Sequence, residues 1–97
     1  MIPDSKTLLY NIKRKTPYLN PALQRIAVFI SENPEKIKLL KIKKLASKCE
    51  VSEATVTRFV KEFNINTFQE LKIILADVQS IDPNNSVKAL QKIHQNG

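Results

Sequence analysis

Between residues 41 and 63, the apolar positions fall into two stripes at helical spacing, separated by a three-residue break at 50–52. The first stripe consists of Leu45, Ala46 and Cys49, and the second of Val56, Phe59, Val60 and Phe63. Positions i, i+3, i+4 and i+7, as in the second stripe, share one face of an amphipathic helix. The break is too short for a strand or a long loop. The pattern therefore predicts two short helices, the first and second motif helices, joined by a tight turn.

The residues around this turn are those that start a helix. Ser52 suits the N-cap, because its hydroxyl can accept a hydrogen bond from an amide one turn further on. Glu53, at the first helical position, suits the positive end of the helix dipole. Ala46 is small enough for two helices to cross steeply over a short turn. Together these features predict a helix-turn-helix, whose second helix is free to enter a DNA major groove.

Three further apolar faces at helical spacing flank the motif. Each follows a capping signal: Asp4 or Ser5 for the first, Asn20 for the second, and Thr67 with Glu70 as a capping box for the third. The faces consist of Leu8, Leu9 and Ile12; of Leu23, Ile26, Ala27 and Ile30; and of Leu71, Ile74, Leu75 and Val78. No apolar–polar alternation is long enough for a sheet. We therefore expect an all-α fold, a compact helical bundle of about five helices plus a C-terminal linker helix.

Shorter segments connect these faces. Asn33 before a proline opens a short segment with Ile37 and Leu40 inward, and residues 64–66 form a tight connector in which asparagine tolerates the left-handed conformation. Residues 81–85 break the last long face, and Ser86 suits the cap of a final segment. We predict a helix-turn-helix domain over residues 1–80. Residues 81–97 are predicted to be a linker or the start of a connecting helix.

The charge distribution favours a polyanionic partner. The 97 residues include 16 Lys and Arg against 9 Asp and Glu, a net charge of +7. Within 13 consecutive residues that contain no acid lie Lys36, Lys38, Lys41, Lys43, Lys44 and Lys48. A lysine-rich solvated surface would account for the net charge alone. The run, however, leads directly into the helix-turn-helix, where contacts with phosphates would be needed, so its position favours nucleic acid.

Several short motifs recur in the order and at the spacing of one known family. They are Leu19-Asn20-Pro21, Arg25-Ile26-Ala27, Asn33-Pro34-Glu35, Leu45-Ala46, residues 51–56 (VSEATV), Arg58-Phe59 and residues 68–72 (FQELK). Over roughly residues 5–78 the chain resembles the N-terminal DNA-binding domain of RpiR-type bacterial transcription regulators. No single motif is specific, but residues 51–56 followed by Arg58-Phe59, with Asn33-Pro34 upstream, are fairly specific in combination.

The resemblance implies a role in carbohydrate metabolism. Members of that family usually carry a second, sugar isomerase-like domain that binds a phosphorylated sugar, and this chain stops before it. The resemblance therefore implies either a fragment or a protein that has lost its sensor domain. A phosphosugar effector would therefore act only through a domain absent from this chain. The sequence departs from the family pattern at Glu50, where the turn usually has glycine, and at Lys41, where a Ser or Thr cap is usual. Asn64 and Thr67 stand where the next connector usually has glycines.

Ten residues are candidate DNA contacts. They are Lys41, Lys43 and Lys44 in or beside the first motif helix, and Ser52, Glu53, Ala54, Thr55, Thr57, Arg58 and Lys61 on or at the edge of the outward face of the second. The early residues of the second motif helix would face base edges, and Arg58 would reach a guanine or a phosphate. Lys44 lies in the helix that crosses the DNA backbone and would contact phosphate. The alternative is an ordinary solvated helix face, with Arg58 paired to Glu62 at i+4.

The sequence gives no support for catalysis, a cofactor or a metal site. Its single Gly is too few for a glycine-rich loop that binds phosphate. Its only histidine, His94, has no Cys or Asp partner nearby. Cys49 is expected in the core, Tyr18 at the core edge, and Glu32 as a surface partner of Lys36. Because no catalytic arrangement is found, we expect a protein that is not an enzyme. Because there is no signal-peptide run and no segment that could span a bilayer, we expect it to be cytoplasmic.

We therefore expect a sequence-specific DNA-binding domain of a transcription regulator. One recognition helix reads only a few base pairs, so the expected complex is a homodimer on double-stranded DNA with a near-palindromic operator. A helical protein–protein interaction module without DNA binding is the alternative. Such a surface should display exposed apolar side chains, whereas the predicted free face carries Thr, Arg and Lys. RNA binding is a weaker third option, because no aromatic residue is predicted on an exposed face.

Overall fold

The computed structural model describes residues 3–78, and every regular element within that range is helical. Five α-helices are present: α1 (Ser5–Lys15), α2 (Pro21–Glu32), α3 (Ile42–Cys49), α4 (Glu53–Glu62) and α5 (Phe68–Ile74). Short 3₁₀ turns occupy Thr16–Tyr18, Pro34–Leu39 and Leu75–Asp77. The all-α prediction is confirmed over these residues. The predicted linker at 81–97 lies outside the described range and stays a prediction.

The predicted capping residues start four of the helices. The side chains of Asp4, Asn20, Ser52 and Thr67 each accept a hydrogen bond from the amide three residues further on. Of the two candidates for α1, Asp4 is the cap, with its carboxylate 2.7 Å from the Thr7 amide. That bond holds the pKa of Asp4 below its ordinary value. These caps satisfy amides that have no partner within the helix.

The capping box of α5 differs slightly from the expected form. Thr67 accepts from the Glu70 amide at 3.1 Å, as predicted. The Glu70 carboxylate, however, accepts from the Asn66 amide at 3.1 Å rather than from the amide of Thr67. Asn64 takes φ 61°, the left-handed conformation expected of an asparagine in this connector.

The helices enclose one hydrophobic core, and α2 contacts α1, α3 and α4 within it. Most residues predicted to face inward are buried, including Phe59 at 1% exposure and Cys49 at 4%, whereas Leu9 and Leu40 are half-buried. Phe63 is only half-buried, because it follows the last residue of α4; its ring lies 5.0 Å from that of Phe59. Val78 is likewise half-buried, since α5 ends at Ile74 and gives way to a 3₁₀ turn.

Two predictions about individual residues are wrong. Tyr18 was expected at the core edge but is 86% exposed, because the 3₁₀ turn at Thr16–Tyr18 directs the next residue, Leu19, into the core instead. Glu32 and Lys36 were expected to pair, but α2 ends at Glu32 and Asn33 has non-helical dihedral angles. The two side chains therefore do not share a helix face, and within residues 3–78 the ion pair is Lys15–Glu62.

Candidate nucleic-acid interface

The turn between α3 and α4 has the geometry of a Schellman motif. Glu50 takes φ 58° and ψ 45°, the left-handed conformation. Its amide donates to the Ser47 carbonyl at 3.1 Å, and the Val51 amide donates to the Ala46 carbonyl at 2.9 Å. The left-handed position that the family usually fills with glycine is therefore present. Glutamate there costs about 1 kcal/mol relative to glycine.

Arg25, from α2, binds this turn through two hydrogen bonds. Its Nε donates to the Cys49 carbonyl at 3.0 Å, and its Nη2 donates to the Glu50 carbonyl at 3.3 Å. The guanidinium thus satisfies carbonyls at the C-terminus of α3 and places a positive charge at the negative end of that helix dipole. Burial raises the pKa of the Cys49 thiol, and the nearby Arg25 charge partly opposes that rise.

This contact was not predicted from the sequence, in which Arg25 stood out only as part of a motif that resembles the family. Arg25 lies 24 residues before Cys49, and no local pattern connects the two positions. The signal that could have suggested it is the missing glycine at position 50. A strained backbone conformation persists only where surrounding contacts hold it, and a hydrogen-bond donor to the turn is one such contact.

The predicted outward face of α4 is the exposed one. Ser52, Glu53, Ala54, Arg58 and Lys61 are exposed, and Thr55 and Thr57 are half-buried. The Ser52 hydroxyl accepts from the Thr55 amide at 3.1 Å and lies 2.9 Å from the Thr55 hydroxyl. Four of the outward residues border a shallow cavity of about 420 Å³ together with Glu62. This surface can present hydroxyl, guanidinium and ammonium groups to a ligand.

Glu62 pairs with α1 rather than with Arg58. Lys15 Nζ lies 3.0 Å from the Glu62 carboxylate, donates to the Glu62 carbonyl at 3.1 Å, and lies 5.4 Å from the centre of the Phe63 ring. The predicted alternative of an Arg58–Glu62 pair is not found among the described residues. Lys15 therefore fixes the C-terminal end of α4, and the Arg58 guanidinium is left facing solvent.

The lysines of the basic run have different surroundings. Lys41, Lys43 and Lys44 are exposed at the start of α3, and the Lys41 side chain makes no capping hydrogen bond, as expected for lysine at that position. Lys38 instead donates to the carbonyls of Ala76 at 3.3 Å and Val78 at 3.2 Å. Its charge is engaged in the contact between two 3₁₀ turns, so the run supplies fewer lysines to a ligand than its sequence suggested.

The fold and this surface define a helix-turn-helix domain, in which α4 has the position of a recognition helix. A profile of the helix-turn-helix domain of the rpiR family matches residues 6–81. The chain therefore belongs to the rpiR family, as its motifs predicted.

Relatives of the chain are transcriptional regulators. It is 39% identical over 71 residues to the HTH-type transcriptional regulator HexR of Pseudomonas aeruginosa, covering 73% of this chain and 25% of that protein. It is 37% identical over 65 residues to an uncharacterised HTH-type transcriptional regulator of Caldanaerobacter subterraneus, covering 67% and 23%. The chain thus spans about a quarter of the length of these curated relatives.

A solved structure shares the fold. The crystal structure of the N-terminal domain of ybbH from Bacillus subtilis, described as a transcriptional regulator, superposes with a TM-score of 0.67 at 26% identity. The match covers 71% of this chain and 84% of that one. This chain is accordingly a helix-turn-helix DNA-binding domain of the kind that transcriptional regulators carry. Among residues 3–78, no helix has the length and apolar character needed to cross a membrane.

Proposed function

We propose that the chain binds duplex DNA sequence-specifically by inserting α4 into the major groove. The observation that carries the proposal is the exposed polar and basic face of α4, fixed near its first turn by Arg25 and at its end by Lys15. A recognition helix must keep its orientation while its outward side chains approach base edges. Arg25 binds the turn before α4 and Lys15 pairs with the last residue of α4, and neither side chain borders the cavity on the outward face.

The proposed contacts divide into two classes. Lys41, Lys43 and Lys44, exposed at the start of α3, contact phosphates and set the position of the domain on DNA. The first-turn residues of α4 and Arg58 face base edges, where a guanidinium can make two parallel hydrogen bonds to guanine O6 and N7. This division accounts for affinity through the lysines and for sequence preference through α4.

The wider proposal concerns the working protein. We infer a cytoplasmic homodimer on a near-palindromic operator, which regulates carbohydrate metabolism in response to a phosphosugar bound by another domain. Support comes from membership in the rpiR family and from relatives of which the matched region makes up only about a quarter. The role proposed for this chain is binding, not catalysis.

The alternative role, a protein-interaction module, is less well supported for this surface. Its prediction was exposed apolar side chains on the α4 face, and that face carries none larger than Ala54. Exposed large apolar residues lie on other elements, at Leu39 with 77% exposure and Ile73 with 63%. The chemistry of the α4 face therefore favours a nucleic acid.

Fluorescence anisotropy with a labelled 30-base-pair duplex tests the proposal. With about four to six phosphate contacts per protomer, log K should fall against log salt with a slope of about −4 to −5. Non-specific duplex is sufficient for this measurement, because phosphate contacts do not depend on sequence. Absence of binding at 50 mM salt to any duplex would contradict DNA binding by this chain.

A further inference from the structure

A second basic surface lies where the last turn of α1 meets the C-terminal end of α4. A cavity of about 380 Å³ opens there, bordered by Arg14, Lys15, Tyr18, Glu62 and Phe63 among others. The last turn of α1 is basic, with Lys13, Arg14 and Lys15, and Tyr18, which was expected at the core edge, follows it. The folded chain brings both next to the recognition helix.

This surface is continuous with the outward face of α4. Glu62 borders both this cavity and the shallow one that contains Arg58 and Lys61. Glu62 is the acid between the two surfaces, and its carboxylate pairs with Lys15 at 3.0 Å. The pair leaves the boundary between the two surfaces close to neutral, so no net negative charge separates Arg14 from the α4 face.

Two polar groups at the cavity are available to a ligand. Tyr18 is 86% exposed, and within residues 3–78 its hydroxyl makes no hydrogen bond. Arg14 is exposed, and in the same part of the chain its guanidinium makes no ion pair; it lies 5.5 Å from the centre of the Tyr10 ring. The ring restricts the arginine without using its N–H donors.

The dimensions of DNA indicate what this surface contacts. The major groove is about 12 Å wide, and phosphates line both of its walls. With ten residues, α4 is about 15 Å long, which is slightly more than the width of the groove. When α4 lies in the groove, the DNA backbone is therefore near both of its ends. The exposed lysines of α3 are placed to contact phosphates near the N-terminal end of α4, which follows the turn. Arg14 and Tyr18 lie at the other end.

We propose that Arg14 and Tyr18 bind DNA phosphates beyond the C-terminal end of α4. Guanidinium and phenol groups are both regular donors to phosphate oxygens, and neither reads sequence in that role. The proposal rests on the proposed DNA binding and extends it by a contact surface on α1 and the turn that follows it.

The test compares wild type, Arg14→Ala, Arg14→Lys, Tyr18→Phe and the matched control Lys6→Ala on a random-sequence 30-base-pair duplex. Lys6→Ala removes the same charge from an exposed position of α1, about 12 Å along the helix from Arg14. Anisotropy is measured from 50 to 200 mM salt. Thermal melting of each variant verifies that it is folded, and sedimentation verifies its association state.

Arg14→Ala should reduce affinity roughly three- to ten-fold more than Lys6→Ala does. It should also make the slope of log K against log salt less steep by about 0.9. Its loss of affinity between 50 and 200 mM should consequently be about 3.5-fold smaller than that of wild type. Arg14→Lys should retain the wild-type slope, because it keeps the charge. Tyr18→Phe should weaken binding without changing the slope, because it removes a neutral donor.

Two results would overturn the proposal while leaving DNA binding intact. One is an Arg14→Ala variant that is folded and indistinguishable from Lys6→Ala. The other is an Arg14→Ala variant that changes self-association but not DNA affinity relative to Lys6→Ala, which would make the surface a contact between protein chains. Failure of wild type to bind any duplex would instead contradict the proposed function itself.

Discussion

Arg25 donates a hydrogen bond to the carbonyl of Glu50, the residue that holds the left-handed conformation of the turn before α4. The same guanidinium donates to the neighbouring carbonyl of Cys49. In this chain a side chain from α2 supports a turn that lacks the glycine usual for the family. The turn that leads from α3 into α4 is therefore bound by a side chain from a distant part of the chain.

Replacing Glu50 with glycine should stabilise the domain by about 0.5–1 kcal/mol, because glycine adopts φ 58° without a steric penalty from Cβ. For a domain of this size, that corresponds to a rise in Tm of roughly 2–8 °C. Chemical and thermal denaturation measure it. The control is Glu50→Gln, which removes the charge but keeps Cβ and should change stability by less than about 0.5 kcal/mol. An equal gain from both variants would attribute the effect to charge.

Arg25→Ala should destabilise the domain by about 1–2 kcal/mol, since two carbonyls lose a charged donor. If Arg25 offsets strain at Glu50, this loss should be smaller when position 50 is glycine. A double-mutant cycle of Arg25→Ala with Glu50→Gly measures that coupling. Lys15→Ala, at the opposite end of α4, should be additive with Glu50→Gly to within about 0.5 kcal/mol. Additivity in both cycles would mean that Arg25 and the turn are energetically independent.

Phe59→Ala should destabilise the domain by about 3–5 kcal/mol, because the ring is 1% exposed and its removal leaves a cavity. Val56→Asp, at a fully buried site, should prevent folding by placing a charge in the core. Circular dichroism and thermal melting are the measurements. Ile73→Ala is the control, since Ile73 is 63% exposed and should contribute little. A Phe59→Ala protein with the wild-type Tm would contradict the packing of α4 described here.

Arg58→Ala and Lys44→Ala should separate base reading from phosphate binding. Arg58→Ala should reduce operator affinity by about 1–3 kcal/mol and affinity for scrambled duplex only slightly. Lys44→Ala should weaken both by similar amounts and reduce the salt slope by about 1. Binding to both duplexes at two salt concentrations distinguishes the two roles. Equal losses on both duplexes for Arg58→Ala would make it a phosphate contact, leaving base reading to the other outward residues of α4.

The complete regulator should protect two half-sites related by two-fold symmetry, with centres about 10–10.5 base pairs or a multiple of that distance apart. One recognition helix contacts too few base pairs to specify a site in a genome, and a dimer doubles the number. Footprinting of the full-length protein measures the spacing. Protection of a single asymmetric half-site would exclude the symmetric arrangement.

The sequence by itself determined the features that depend on neighbouring residues. Helix starts at Asp4, Asn20, Ser52 and Thr67 were predictable, because a capping side chain bonds an amide only three residues away. The inward stripe of α4 followed from helical periodicity. The outward candidates followed as its complement, and each of them lies on the exposed or half-buried surface.

The tertiary structure decided what the charged side chains do. Contacts of Arg25, Lys38 and Lys15 span 24, 38 and 47 residues, respectively, so no local pattern reports them. A run of lysines predicts a positive surface but not which ammonium group turns inward to a carbonyl, because long side chains reach several partners at similar energy. The exposure of Tyr18 likewise depended on the 3₁₀ turn, which buries Leu19 in the core instead. Helix caps and apolar periodicity depend on residues close in sequence and can therefore be predicted from it. The partners of the charged side chains are determined only when distant segments pack together.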